Sequence, residues 1–367
     1  MNRRWICNDV WMDIFPSFDH AQLGLKLALL SPRFNALVDK HFDGKSELTI
    51  WRPLAIRRKY KGPKAKLYVR INEGFVPFPL PDDRPLPSKI RFKRFQIEYI
   101  DHFVIAFLRS NHQIFYKSTN LHLWIPSSHH INEQQLIWDV LSQEIWPIFS
   151  TNIRHLRFPH GDHLNNLRRL VSPTILIDLN HLISIDSFRL LPATIDADFY
   201  RSTATISGGQ ALSKWLHSPR KDGQPKRLCC DGYNEQANFD WINNFKEQFL
   251  RANAISSVSY EIRFTVRVPS IQMVPFELVN EWTKEKLTLA KADENDLKDN
   301  SWIMKRCKII GETAAVNWED GNWDNCNSVF IWLDICLNCL GPFSPSPQEE
   351  DEAGQSFINV PSSSDNE

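Results

Sequence analysis

The sequence predicts an α/β protein: three short helices at the N-terminus, then a body of alternating helices and strands, a β-rich segment and a polar tail. Three observations carry this. Apolar side chains recur at helical spacing within residues 6–38. Strand-like runs start at positions 121, 154, roughly 187, 226 and 259, so a helix–strand unit recurs every 33, 33, 39 and 33 residues. Residues 341–367 are rich in Pro, Ser, Glu and Asp, with the acid run Glu349-Glu350-Asp351-Glu352, a composition that predicts disorder.

Asn8 or Asp9 can cap a first helix starting near Val10, on which Trp11, Ile14, Phe15 and Phe18 make one apolar stripe. Pro16 predicts that this helix is short or bent at its end. Asp19 opens a second helix with Leu23, Leu27 and Leu30 on one face and Leu25 and Leu29 on another. Ser31-Pro32 starts a third, carrying Phe34, Leu37 and Val38. A unit of about forty residues buries too little surface to stand alone, so a neighbour is implied.

Residues 43–94 read as a mixed connector, with a strand at Leu67–Ile71 and an irregular proline-rich stretch over 76–87. On this reading the connector separates the N-terminal unit from the body, which should fold without residues 1–42. The body, 95–335, opens with a strand at Phe95–Tyr99 and a helix through His102–Leu108. Four strand–helix units follow: Leu121–Ile125 with Glu133–Phe149, Arg154–Phe158 with a helix over 165–184, Phe188–Leu191 with Gly209–His217, and Lys226–Cys230 with Phe239–Ala252. The strand Tyr260–Phe264 closes the series. The near-constant period predicts parallel strands covered by helices, as an irregular leucine-rich-repeat-like solenoid or as an α/β domain without true repeats. Strands at Pro275–Asn280, Glu285–Leu289, Trp302–Ile310 and Ser328–Leu333 read as a small β-rich finish.

The N-terminal residue order resembles the F-box. Ile6-Cys7 stands where that pattern has Leu-Pro, Asn8-Asp9 at its acidic pair, and Ile14-Phe15 at its Ile-Phe pair. Leu30-Ser31-Pro32-Arg33-Phe34 matches its Val-Ser-x-Arg-aromatic segment. Cys7 and His20 replace the usual prolines, Phe34 replaces the frequent Trp, and the stretch from Phe18 to Phe34 is about one residue longer than typical. In the body, Gly209–His217, Ser218–Lys226 and Val274–Leu278 are similar to a large family of nematode F-box proteins, and the likeness covers most of residues 5–335.

The resemblance implies an F-box at 5–42 and a non-catalytic substrate receptor of a Skp–cullin–F-box ubiquitin ligase. The adaptor-binding residues it implies are Ile6, Cys7, Trp11, Ile14, Phe15, Phe18, Leu25, Leu29, Leu30 and Phe34. The partners are a Skp-type adaptor, a cullin through it, and a target protein held by the body. An interaction scaffold or decoy that binds the adaptor only is the alternative.

Basic and acidic residues balance at 43 each, so there is no global charge to draw nucleic acid or membrane. No run of about twenty apolar residues and no secretory signal is visible. Seven scattered cysteines, an odd count, argue against a disulfide framework and for a reducing compartment, the cytoplasm or nucleus. Neither a cofactor nor a metal is expected. His160-Gly161-Asp162-His163 offers metal-type ligands in no known spacing, so a loop reading is preferred over a hydrolase or metal enzyme. Cys336-Leu337-Asn338-Cys339, with Cys326 upstream, lacks a second Cys-x-x-Cys and reads as buried or incidental thiols. The basic stretch Arg57–Lys61 through Lys66 reads as a solvated loop, with nuclear import as the alternative. Gly208-Gly209-Gln210 reads as a turn and helix start. Trp124, Trp138, Trp146, Trp215 and Trp241 sit in periodic segments, which favours core packing, though exposed ones would anchor an interface.

Overall fold

The computed structural model describes residues 6–43, 48–50, 53–58, 64–71, 74–81, 85–87, 90–115, 119–126, 131–188, 190–192, 207–231, 235–253, 258–266, 273–292, 301–310, 313–314, 329–336 and 339–343. Cys326 and the acid run at 349–352 lie outside them.

Helix α1 spans Asn8–Ile14 and runs into a 3-10 turn at Phe15–Ser17, where Pro16 ends it. Its N-cap is Cys7, with no side-chain cap; Asn8 and Asp9 fall inside the first turn instead. Helix α2, His20–Gln22, is closed by a capping box between Asp19 and Gln22. The chain stays helical through a π turn at Leu23–Leu27 and a 3-10 turn at Ala28–Leu30. Helix α3, Pro32–Phe42, is capped by Ser31, whose hydroxyl accepts from Phe34 N at 3.3 Å. Phe15, Leu23, Ala28, Leu37, Val38 and Phe42 form a small core of their own. Ala21 and Leu25 point the other way and belong to the core of the body, with Leu29 packed on it. The implied neighbour of the N-terminal unit is thus, in part, the rest of this chain.

Strand β1 (Leu48–Ile50) pairs with β5 (Ile90–Phe92) in a small parallel ladder. Strands β2 (Leu54–Arg58), β3 (Ala65–Ile71) and β4 (Gly74–Pro79) form an antiparallel meander at one edge of the main sheet. The segment expected to be a connector therefore builds part of the sheet. Pro77 and Pro79 are tolerated because β4 is an edge strand, where a missing amide donor breaks no ladder bond.

The body follows in chain order as β6 (Arg94–Ile97), α4 (His102–Ser110), β7 (Thr119–Trp124), α5 (Ile131–Val140), α6 (Trp146–Phe149), β8 (Ile153–Phe158), α7 (Gly161–Leu170), α8 (Ile175–Asp178), β9 (Ser184–Phe188), α9 (Gly208–His217), β10 (Lys226–Asp231), α10 (Glu235–Arg251) and β11 (Tyr260–Thr265). Then come β12 (Phe276–Asn280), β13 (Glu285–Lys291), β14 (Ser301–Ile310), β15 (Thr313–Ala314) and β16 (Val329–Asp334). The main sheet runs β12-β13-β14-β11-β10-β9-β8-β7-β16-β6-β2-β3-β4, with β15 paired to β14.

Strands β7 to β11 are parallel and neighbour one another in chain order, with helical segments between successive strands. This is the mixed α/β architecture that the helix–strand alternation predicts. Three details differ from the sequence reading. The helix expected over 165–184 ends at Leu170, because Ser172-Pro173 interrupts it, and β9 starts at Ser184 instead of Phe188. The β-rich finish is split: β12, β13 and β14 are antiparallel at one end, but β16 crosses back to insert, parallel, between β6 and β7. The tail expected from 341 onward is attached at its start, where Gly341 N donates to Ile100 O at 2.7 Å and His102 N to Pro342 O at 3.2 Å.

The two faces of the sheet separate cleanly. Leu54, Phe95, Ile331, Leu121, Leu156, Ile185, Leu228, Ile262 and Met304 lie in one register row across nine strands, all within 2% of full burial. Each burial of such a side chain is worth about 1.5–3 kcal/mol. Trp138, Trp146, Trp215 and Trp241 are buried with them, so core packing holds for these four. No helix among the described residues is long and apolar enough to cross a membrane.

Candidate functional site

Two surfaces stand out among the described residues once the cores are assigned. On the N-terminal unit Ile6, Val10, Ile14 and Leu30 are 47%, 47%, 36% and 60% exposed, a high proportion for four large apolar side chains within 25 residues. Arg33 ties the two ends of this patch together: its Nη2 donates to Ile6 O (2.8 Å) and Asn8 Oδ1 (2.6 Å), joining the start of α1 to the start of α3 beside Leu30. Of the residues expected to bind the adaptor, Ile6, Cys7, Ile14 and Leu30 are exposed. Trp11, Phe18, Leu29 and Phe34 are half-buried, with the Trp11 and Phe34 rings edge to face at 4.9 Å. Phe15 and Leu25 are fully buried, Phe15 in the small core and Leu25 in the body's, so neither is presented to a partner. A stripe at i, i+3, i+4 and i+7 does not reveal which members face inward when the helix is one of three in contact.

The second surface is the open face of the sheet. Because side chains alternate along a strand, the residue beside each member of the buried row points outward. Trp332, His122, Arg157, Asp186, Cys229 and Arg263 line up in register on β16, β7, β8, β9, β10 and β11. The next row holds Phe330, Asn120, His155, Ser184, Arg227 and Glu261. A cavity of about 600 Å³ lies over this face, lined by His122, Trp124, Arg157, Asp186, Cys229, Arg263 and Trp302 among others. A second, of about 230 Å³, adjoins it between Asn120, His155, Phe330 and Trp332. Trp124 is 48% exposed at the mouth, the member of the five sequence-singled tryptophans that faces solvent.

The titratable groups of this face are shifted toward their neutral forms. Burial, aided by the nearby Arg157 guanidinium, holds His122 at about 4, and burial with Arg154, Arg227 and Arg220 does the same to His155. Both rings are neutral at pH 7. Burial and then the Asp186 carboxylate raise the Cys229 thiol well above its usual value, so it is no thiolate nucleophile. His122 and Cys229 are also three strands apart, about 14 Å at 4.8 Å per strand, too far for a nucleophile–base pair. Asn120 Oδ1 and His122 Nδ1 are buried without a hydrogen-bond partner among the described residues.

The other sequence candidates have structural roles. His163 is buried, its Nε2 3.1 Å from Ile125 O and its ring edge-on to Trp138. His160 stacks on it. Among the described residues no three His, Cys, Asp or Glu side chains converge on a metal-sized site. Gln210 closes a capping box with Ser207 at the start of α9. Arg57 pairs with Glu98 at 2.6 Å, and Arg58 donates to Tyr99 Oη at 3.0 Å. Cys336 and Cys339, expected as thiols, are joined in a disulfide. Their Cα atoms lie 5.1 Å apart, a spacing that composition does not reveal.

Comparison of the chain with family models, with curated proteins and with solved structures finds no match. The open-face residues were not singled out in the sequence. Strand starts do not align them: only the register of the paired strands makes positions 122, 157, 186, 229 and 263 equivalent.

Proposed function

We propose that this chain is the substrate-recognition subunit of a Skp–cullin–F-box ubiquitin ligase, working in the cytoplasm or nucleus. The N-terminal unit docks on a Skp-type adaptor, and the body holds a target protein on the open face of its sheet. The observation that carries the first half is the exposure of Ile6, Val10, Ile14 and Leu30 on a unit whose own core is already filled. The second half is supported by the cavity of about 600 Å³ rimmed by Trp124. The in-order strands β7 to β11 favour an irregular leucine-rich-repeat-like body; the insertion of β16 departs from a simple solenoid. Catalysis then comes from proximity, since tethering target and charged ubiquitin carrier raises their effective concentration.

Co-expression with a Skp-type adaptor and pull-down tests this. Wild type is retained; Ile14→Asp with Leu30→Asp is not, while its circular dichroism and Tm stay unchanged. Absence of binding by folded wild type would remove the ligase reading. A decoy that binds the adaptor alone differs in one readout: no cullin is recovered with the complex.

A further inference from the structure

Strands β6 and β16 pair in parallel as far as Leu333 with Ile97, and the pairing resumes beyond the strand ends at Leu340 with Ile100. The chain takes seven steps from Leu333 to Leu340 but three from Ile97 to Ile100, so four surplus residues are taken up on the β16 side. Cys336 and Cys339 lie inside that interval, joined by a disulfide with their Cα atoms 5.1 Å apart. Three residues of extended strand would span about 10 Å. The cross-link therefore holds the chain at half its extended reach, and Cys339 N also donates to Cys336 O at 2.9 Å.

The residues from Cys339 onward are held by backbone bonds at the start of α4. Ile100 N donates to Cys339 O at 2.8 Å, Gly341 N to Ile100 O at 2.7 Å and His102 N to Pro342 O at 3.2 Å. Asp101, between these donors, caps α4 by accepting from Val104 N at 2.9 Å. Before the cross-link, Ile335 N donates to Trp124 O at 3.2 Å, at the end of β7. A disulfide between residues three apart closes a very short loop and restrains the unfolded chain far less than a long one, so its effect is local. Both cysteines are half-buried, within reach of a small thiol. Cys7, Cys229, Cys230 and Cys307 are free thiols, and burial raises those of Cys229 and Cys307 above their usual range. Among the described residues no third metal-type ligand joins the Cys336–Cys339 pair.

We propose that Cys336 and Cys339 form a redox modification site: a dithiol–disulfide pair that exchanges with glutathione and, when oxidised, fixes residues 339–342 on the start of α4. In the oxidising direction the thiolate of one cysteine attacks a sulfur of glutathione disulfide. That S–S bond breaks, a protein–glutathione mixed disulfide forms and one glutathione thiolate leaves. The thiolate of the second cysteine then attacks the protein sulfur of the mixed disulfide and expels the second glutathione. The protein dithiol gives up two electrons to the glutathione disulfide, and its two thiol protons pass to the two released glutathiones. The bond from Cys339 N to Cys336 O keeps the two sulfurs close in the dithiol, which favours ring closure over a lasting mixed disulfide. This site does not depend on the receptor reading above.

The test equilibrates the full folded chain in buffers running from reduced glutathione alone to glutathione disulfide alone, traps free thiols by alkylation and reads the pair by peptide mass spectrometry. The pair is expected to pass from dithiol to internal disulfide across the series, and back when the buffers are exchanged. A disulfide that survives reduced glutathione, a dithiol that survives glutathione disulfide, or a lasting glutathione adduct overturns the proposal. Hydrogen exchange on the same samples reads the consequence. The amides of Ile100, His102 and Gly341 should exchange at least about tenfold faster in the dithiol, with those of β8 to β10 unchanged. Cys336→Ser with Cys339→Ser should show the fast rates in every buffer. Equal rates in both forms of the wild type, which needs no substitution, overturn the proposed hold on α4.

Discussion

Glu285 and Arg306 form a buried ion pair between the adjacent strands β13 and β14, with Oε2 and Nη2 at 2.6 Å and side chains 0% and 8% exposed. The Arg306 guanidinium also lies 5.5 Å from the Phe249 ring and 6.0 Å from that of Tyr260. Tyr260 Oη is 3.4 Å from His217 Nε2. This chain of contacts joins α9, α10 and the antiparallel end of the sheet. Glu285→Ala leaves the guanidinium buried and unpaired, so the expected loss is about 3–5 kcal/mol. Urea unfolding of the two proteins measures it. A loss under about 1 kcal/mol would mean that water reaches Arg306.

Acid should unfold the body early. Burial lowers His122, His155, His163 and His217 to about 4, against about 6.5 in an unfolded chain. The unfolded state then binds protons that the folded one excludes. The stability these rings contribute is complete above about pH 6.5 and is lost as pH falls toward 4, at up to about 1.4 kcal/mol per pH unit for each. Urea midpoints between pH 7.5 and pH 4.5 should fall steeply; a flat profile contradicts the burial of these rings.

The N-terminal unit is not a detachable bead. Leu25 is fully buried in the core of the body, so Leu25→Ala should cost about 2–5 kcal/mol. Removal of residues 1–42 should lower the Tm of the body, contrary to the expectation from a separating connector. Ile14→Asp, on an exposed side chain, should leave Tm alone. Equal Tm for wild type and Leu25→Ala would show that the two cores are independent.

Gly341 sits where a side chain has no room: a Cβ there would run into the Tyr99 hydroxyl and Asp101 Cβ. Gly341→Ala should cost about 1–3 kcal/mol through overpacking. Removing residues 344–367 should leave Tm unchanged, since Gly341 and Pro342 make the bonds that attach this segment. Differential scanning calorimetry on both variants checks the boundary; a fall of several degrees on truncation would move it later.

Trp124 is half-exposed and lines the cavity, so Trp124→Ala should change Tm little and, on the proposed receptor role, abolish target capture. Cross-linking of captured protein to the open face, compared between wild type and this variant, reads it out.

By itself the sequence determined what depends on near neighbours. The helix–strand alternation, the helix starts at Asp19 and Ser31, and the break at Pro16 follow from residue type and local spacing. Tertiary structure decided what depends on partners distant in the chain. Val329–Asp334 carries an alternation that suits any strand, and only packing set it between β6 and β7, more than 200 residues earlier. Phe15 and Ile14 are adjacent on one apolar stripe, yet Phe15 is buried and Ile14 exposed, because α1 has two helical neighbours to pack against. The open-face row from His122 to Arg263 brings together residues 29 or more positions apart. Local periodicity encodes which side of a strand is polar; strand order and register determine which polar residues meet.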